Sequence, residues 1–221
     1  MGTASLAEAT LDEIRLALAP AVADAAAFDG WSEAAVTAAA QQHGVDPAVA
    51  RLAFPSGAMD MIAAWIGAVD AAMAAELTAV RLGNLPIRER IRMLVQFRLD
   101  AMTPQREALR RAHSIMAMPQ NARRSLRLGW NSADLMWRLA GDVATDYNHY
   151  TKRAILGSIY AATLAVFVAD NSEDFADTKA FLARRIEGVM TFERAKARLL
   201  RPREERFDLA RLLGRLRYPA R

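Results

Sequence analysis

The chain has no cysteine in its 221 residues. This excludes a disulfide frame, a thiol nucleophile and a cysteine-ligated metal, and it suits a reducing compartment. Eleven glycines and eight prolines are too few for collagen-like or low-complexity classes. Strand signals are missing as well: no clean period-two run occurs, and no Asn-Gly or Asp-Gly turn stands between alternating runs. The longest stretch without a charge, Ala154 to Ala169, contains Ser158, Tyr160 and Thr163. It falls short of the ~20 apolar residues of a membrane span and is expected to be a buried helix of a soluble protein. No basic residue precedes Arg15, so no charged n-region of a signal peptide is expected.

Helix signals run through the whole chain. Thr10-Leu-Asp-Glu13 is a capping-box pattern that opens a helix to about Ala27. Ser32 is expected to cap a second helix that stops at Gly44. Asp46-Pro47 pairs an N-cap with proline at the first helical position, starting a short helix that Pro55 ends. A fourth helix is expected to about Leu82, before Gly83-Asn84, and Pro86 opens a fifth. Thr103-Pro104 and the stretch around Pro119 mark two more starts. Long helices fill 122–140, 147–169 and 173–200, and Pro202 separates a last helix over about 203–217. The fold class is all-α, in three parts: residues 5–82, residues 85–200 and a tail, 203–221.

The net charge of +4 is unevenly spread. Residues 194–221 hold ten basic and three acidic side chains, while the remainder holds 19 basic and 22 acidic. The body is therefore slightly acidic and the tail basic. In that tail Leu209, Leu212, Leu213 and Leu216 follow helical spacing, flanked or opposed by Arg206, Arg211, Arg215 and Arg217. A basic amphipathic helix of this kind can lie in a lipid interface, and peripheral membrane contact through Leu209, Arg211, Leu212, Leu213, Arg215 and Leu216 is the expectation. Docking on the protein's own body or on a dimer partner is the alternative.

The first 75 residues resemble the N-terminal part of TetR-type regulators, in which a helix-turn-helix precedes a larger helical ligand-binding domain. A helix that reads DNA must neutralise phosphates and reach base edges with polar side chains. Residues 28–62 instead carry Asp29, Glu33, Asp46 and Asp60 against Arg51 alone. The segment Pro47 to Phe54 offers Ala48, Val49, Ala50, Leu52 and Ala53 where base contacts would be needed. The shape is read as retained and DNA binding as lost; a TetR-type repressor sensing a hydrophobic ligand is the alternative.

No G-x-S-x-G elbow, P-loop or G-x-G-x-x-G is present. The three histidines lie far apart. Asp146-x-x-His149 has helical metal-site spacing, but a di-iron bundle needs two acid-x-x-His pairs plus further carboxylates, and no second pair exists. Neither catalysis nor a metal is expected. Met93, Phe97, Met102, Ile115, Met116, Met118, Met136 and Trp137 crowd the middle of the chain. Methionine adapts to irregular apolar cavities, although such a stripe is also what an ordinary core requires. Asp146, His149, Tyr150 and Arg153 share one helical face, either a recognition patch or a solvated face with an Asp–Arg pair. In DNSEDFADTKAFL, residues 170–182, Ser172 and the carboxylates Glu173, Asp174 and Asp177 read as helix-start chemistry.

The segments GDVATDYNHYTKR (141–153) and LGSIYAATLAVFVADNSEDFADTKAFLARRIE (156–187), with MPQN (118–121), DLMW (134–137) and the opening FDGW, resemble the Coq-nine family of ubiquinone-biosynthesis accessory proteins. The resemblance covers about residues 10–200 and is most specific in 134–182. Where family members commonly carry tryptophan before the tyrosine of the NxYT motif, this chain has His149. The resemblance implies a TetR-like fold, a homodimer, and an isoprenoid quinone or phospholipid as ligand in place of any cofactor. It also implies a non-catalytic role: presenting a quinone precursor to the di-iron demethoxyubiquinone hydroxylase at the membrane. Carried over by motif, Met136, Asp146, His149 and Tyr150 are the partner-docking candidates, with Arg153 structural. Met93, Phe97, Ile115, Met116, Met136, Trp137 and His149 are the lipid-binding candidates. The expected location is the bacterial cytoplasmic face of the inner membrane, or the matrix face of the mitochondrial inner membrane in a eukaryote.

Overall fold

A computed structural model describes residues 9–143 and 147–199. They form ten α-helices: α1 (Leu11–Asp29), α2 (Glu33–Gln42), α3 (Pro47–Leu52), α4 (Ala58–Glu76), α5 (Ala79–Leu82), α6 (Ile87–Met102), α7 (Arg106–Met116), α8 (Ala122–Leu139), α9 (Tyr147–Ala169) and α10 (Ala176–Leu199). No strand occurs among the described residues. The fold is all-α. Two compact units divide between Leu182 and Ala183.

The expected caps form in part. Thr10 and Glu13 close a reciprocal capping box at α1, and Asp46 accepts from the Ala48 N–H at 2.7 Å while Pro47 opens α3. Ser32 stands at the start of α2 without capping it; its hydroxyl donates back to the Asp29 carbonyl at 3.1 Å. α1 continues through Pro20 to Asp29, two residues past its expected end. α4 stops at Glu76, short of Leu82, because Leu77 leaves helical geometry to bury its side chain. The short α5 follows. Thr103 and Pro119 each open a single 3-10 turn ahead of α7 and α8.

α1 is the central helix of the first unit. Ile14, Leu18, Val22 and Ala26 recur at helical spacing and are buried against α2, α3, α4 and α7. Trp31 and Trp65 pack with ring centroids 5.5 Å apart. The Trp31 indole N–H donates to the Ala108 carbonyl at 2.9 Å and that of Trp65 to Gln105 at 2.6 Å. The two tryptophans therefore tie the opening helices to α7. The break expected between residues 82 and 85 is an exposed turn at Gly83-Asn84, while α4 packs across it on α6 and α8. α4 and α9 are both long and apolar enough to cross a membrane by length and composition. Each spends one face on the core, with Ile62, Trp65, Val69 and Met73 buried from α4 and Leu156, Tyr160, Leu164 and Phe167 from α9.

Candidate functional site

α4, α6, α7, α8 and α9 enclose a cavity of about 540 Å³, within the range of small-molecule sites. Its wall is apolar: Ile62, Trp65 and Ile66 from α4, Met102 from α6, Leu109, Ala112 and Met116 from α7, Leu128 and Trp130 from α8, and Gly157 and Leu164 from α9. The cavity reaches the surface between α8 and α9, where Leu126, 75% exposed, lines it together with the exposed small side chains of Ala154, Ser158 and Ala161.

A polar floor lies beneath the apolar wall. Arg98, 1% exposed, pairs with Asp70 of α4, and its Nε donates to the Tyr160 hydroxyl of α9 at 2.8 Å. The Ser132 hydroxyl donates to the other Asp70 oxygen at 2.9 Å, so α4, α6, α8 and α9 meet at one ion pair. His113 lines the cavity from α7, and burial lowers its pKa from the ordinary histidine value, favouring neutral imidazole.

A second cluster locks α8 to α9. The buried Arg153 guanidinium donates to Asp134 at 2.6 Å, to Asp142 at 3.0 Å and to the His149 carbonyl at 3.0 Å. Lys152 reaches the other Asp142 oxygen at 2.7 Å and sits over the Trp137 ring, whose N–H donates to the Lys152 carbonyl at 2.9 Å. At the outer end, Tyr150 is 62% exposed, with its ring 6.1 Å from Trp130 and 5.1 Å from His149. Trp130 lines the cavity and touches this exposed tyrosine, joining interior to surface.

The residues singled out from sequence divide accordingly. Met116 lines the cavity; Met93, Phe97, Ile115, Met136, Trp137 and His149 are not among the described residues that line it. Met93 is exposed, and Trp137 is occupied in the α8–α9 lock. Met136 requires a correction. It is 0% exposed, on the α8 stripe with Ser132, Ala133 and Ala140 that faces the core, so it presents nothing to a docking partner. Arg153 is likewise turned inward by its two carboxylates and leaves the exposed face that its spacing shares with Tyr150. Asp146 and the whole 203–221 tail, with Leu209, Arg211, Leu212, Leu213, Arg215 and Leu216, lie outside the described residues. Sequence reasoning missed Ile62, Trp65, Arg98, Trp130 and Tyr160. An arginine within the apolar stripe of α6, beside Leu94, Val95 and Leu99, was the available signal.

Residues 122–193, which carry the cavity mouth, the Arg153 lock and the DNSEDF segment, match the COQ9 family. The protein named ubiquinone biosynthesis protein COQ9, mitochondrial, of Rattus norvegicus is 37% identical over 168 residues, 73% of this chain and 54% of its own length. The chain belongs to the COQ9 family. The protein of that name from Homo sapiens is 34% identical over 73% of this chain and 52% of its own length. The one from Drosophila melanogaster is 27% identical over 84% and 58%. The chain thus spans about half the length of the curated relatives it matches.

Proposed function

We propose that this protein is a non-catalytic, TetR-like lipid-binding accessory of ubiquinone biosynthesis, which shelters an isoprenoid quinone precursor and presents it to the demethoxyubiquinone hydroxylase at a membrane surface. The observation that carries the reading is the apolar cavity of about 540 Å³ with a mouth between α8 and α9. The relatives' names supply the pathway and the mitochondrial location. The lipid would occupy the space between α4, α6, α7, α8 and α9, and the partner would meet the exposed Tyr150 beside the mouth. The protein acts as a homodimer at the membrane, with residues 203–221 as the lipid-facing element on the strength of their sequence pattern.

The repressor reading is disfavoured by α3, whose exposed side chains are Ala48, Val49, Arg51 and Leu52, a poor set for reading base edges. The deciding experiment is native mass spectrometry of the purified protein followed by organic extraction. A co-purifying isoprenoid or phospholipid is the expected result. Protein that stays empty after incubation with such lipids would refute the reading.

A further inference from the structure

Arg98 is buried beside a mostly apolar cavity, and only two of its three nitrogens are used. Nε bonds Tyr160 and Nη1 bonds Asp70. Nη2 has no hydrogen-bond partner among the described residues. No fully buried side-chain nitrogen or oxygen among them is left unpaired, so Nη2 must open onto space, and the space that Arg98 lines is the cavity. A guanidinium edge held rigid by two partners and facing an apolar void is a preorganised donor: an oxygen arriving there gains a charge-assisted hydrogen bond with little ordering left to do.

The charge around the cavity narrows what that oxygen can be. Asp70 already compensates the charge of Arg98, and Asp134 and Asp142 meet that of Arg153, the other buried arginine on the wall. His113 is held toward its neutral form by burial. An anion entering this space would surrender its hydration without finding an uncompensated cation. A neutral acceptor pays far less.

Resting on the reading of the cavity as a lipid site, we infer that Arg98 Nη2 is its head-group contact and that the cavity selects apolar-tailed molecules ending in a neutral hydrogen-bond-accepting oxygen, such as a quinone or ester carbonyl, over anionic amphiphiles of the same tail. The Asp70 and Tyr160 contacts position the guanidinium, and Ser132 positions Asp70.

The test is calorimetric titration of the full chain with three probes of matched tail: 2-decyl-1,4-benzoquinone, decanoate and n-decane. The quinone should bind at least about tenfold more tightly than either of the others, the worth of one hydrogen bond to a charged donor. Arg98→Lys keeps a cation for Asp70 but lacks the third nitrogen, and should bring the quinone down to the decane level while decane affinity holds. The double variant Arg98→Met with Asp70→Asn, which leaves no buried charge unpaired, should do the same. Equal affinity for all three probes in the wild type, or tightest binding of decanoate, would overturn head-group selection and leave the lipid cavity standing. A quinone preference that survives Arg98→Lys would remove Arg98 from the role. Failure of every probe to bind would instead bring down the lipid-site reading on which the inference rests.

Discussion

Asp170 ends α9 with both carboxylate oxygens occupied. One accepts from the Ser172 hydroxyl at 2.6 Å and its N–H at 2.8 Å; the other accepts from the Thr178 hydroxyl at 2.5 Å and N–H at 2.8 Å. Arg106 of α7 donates to its backbone carbonyl and to that of Val168, placing a cation at the end of α9, where the helix dipole favours one. The Ser172 and Thr178 hydroxyls hold the Asp170 carboxyl well below the ordinary carboxylate range. A folded value below the unfolded one means that the unfolded chain takes up the proton first. The contribution of Asp170 is therefore fully present above about pH 4 and is lost as the pH falls from there toward the folded value. Asp170→Asn should cost about 1–3 kcal/mol at pH 7, with the gap from wild type narrowing at pH 3; urea midpoints at the two pH values measure both. Equal midpoints at pH 7 would remove Asp170 from the role. The expectation that DNSEDF is helix-start chemistry agrees with the Ser172 hydroxyl, which accepts from the Asp177 N–H in the first turn of α10 at 3.1 Å, but it missed the second cap. Asp170 caps the same helix start across eight positions, and the left-handed backbone at Asp174 and Phe175 (φ 52° and 53°) turns the chain into α10. A long-range cap of that sort has no fixed spacing to search for.

At the scale of elements, α8 and α9 are held by charge as much as by packing. Arg153 is 2% exposed between Asp134 of α8 and Asp142 of the connection that follows it. Arg153→Met would take the buried guanidinium away from Asp142, and losing one partner of a buried pair costs about 3–5 kcal/mol; the lower end applies because Asp142 keeps Lys152 at 2.7 Å and Asp134 keeps Arg138 at 3.0 Å. Chemical denaturation followed by circular dichroism should show that loss in the midpoint, and Arg153→Lys should recover only part of it, since one ammonium cannot span both carboxylates. A variant within 0.5 kcal/mol of wild type, roughly the range of ordinary surface changes, would contradict the lock. The helices themselves were legible in the sequence because caps, prolines and glycines punctuate them locally. Residues 149, 150 and 153 do share a helix, but helical spacing does not say which way a register faces. Arg153 turned inward because two carboxylates 19 and 11 residues before it in sequence, rather than neighbours on its own helix, await it. The cavity was hardest to foresee. The methionine-rich stretch pointed at the correct region of chain, yet of its side chains only Met102 and Met116 are among the described residues that line the void, since five separate helices decide which side chains meet there.

For the whole molecule, the proposed work separates into sheltering a lipid, meeting a partner and touching a membrane, and each falls to a different part of the chain. The cavity belongs to the five helices around Arg98. The proposed partner surface is centred on Tyr150, whose ring is largely solvent-facing and rests on Trp130 at the cavity wall. The membrane element is expected in the arginine-rich residues 203–221. If this division holds, the three functions can be lost one at a time. Tyr150→Ala removes an exposed ring and should change stability by well under 2 kcal/mol, leave co-purified lipid unchanged, and abolish capture of the hydroxylase in a pull-down. Deleting residues 203–221 should spare both the lipid and the hydroxylase contact in detergent, while abolishing flotation with vesicles containing anionic lipid, an attraction of about 1 kcal/mol per arginine near the surface that salt should screen. Full flotation of the truncated protein would move the membrane contact to another surface. Unchanged hydroxylase capture by Tyr150→Ala would move the partner site away from the mouth, and with it the idea that Trp130 links the bound lipid to the protein that receives it.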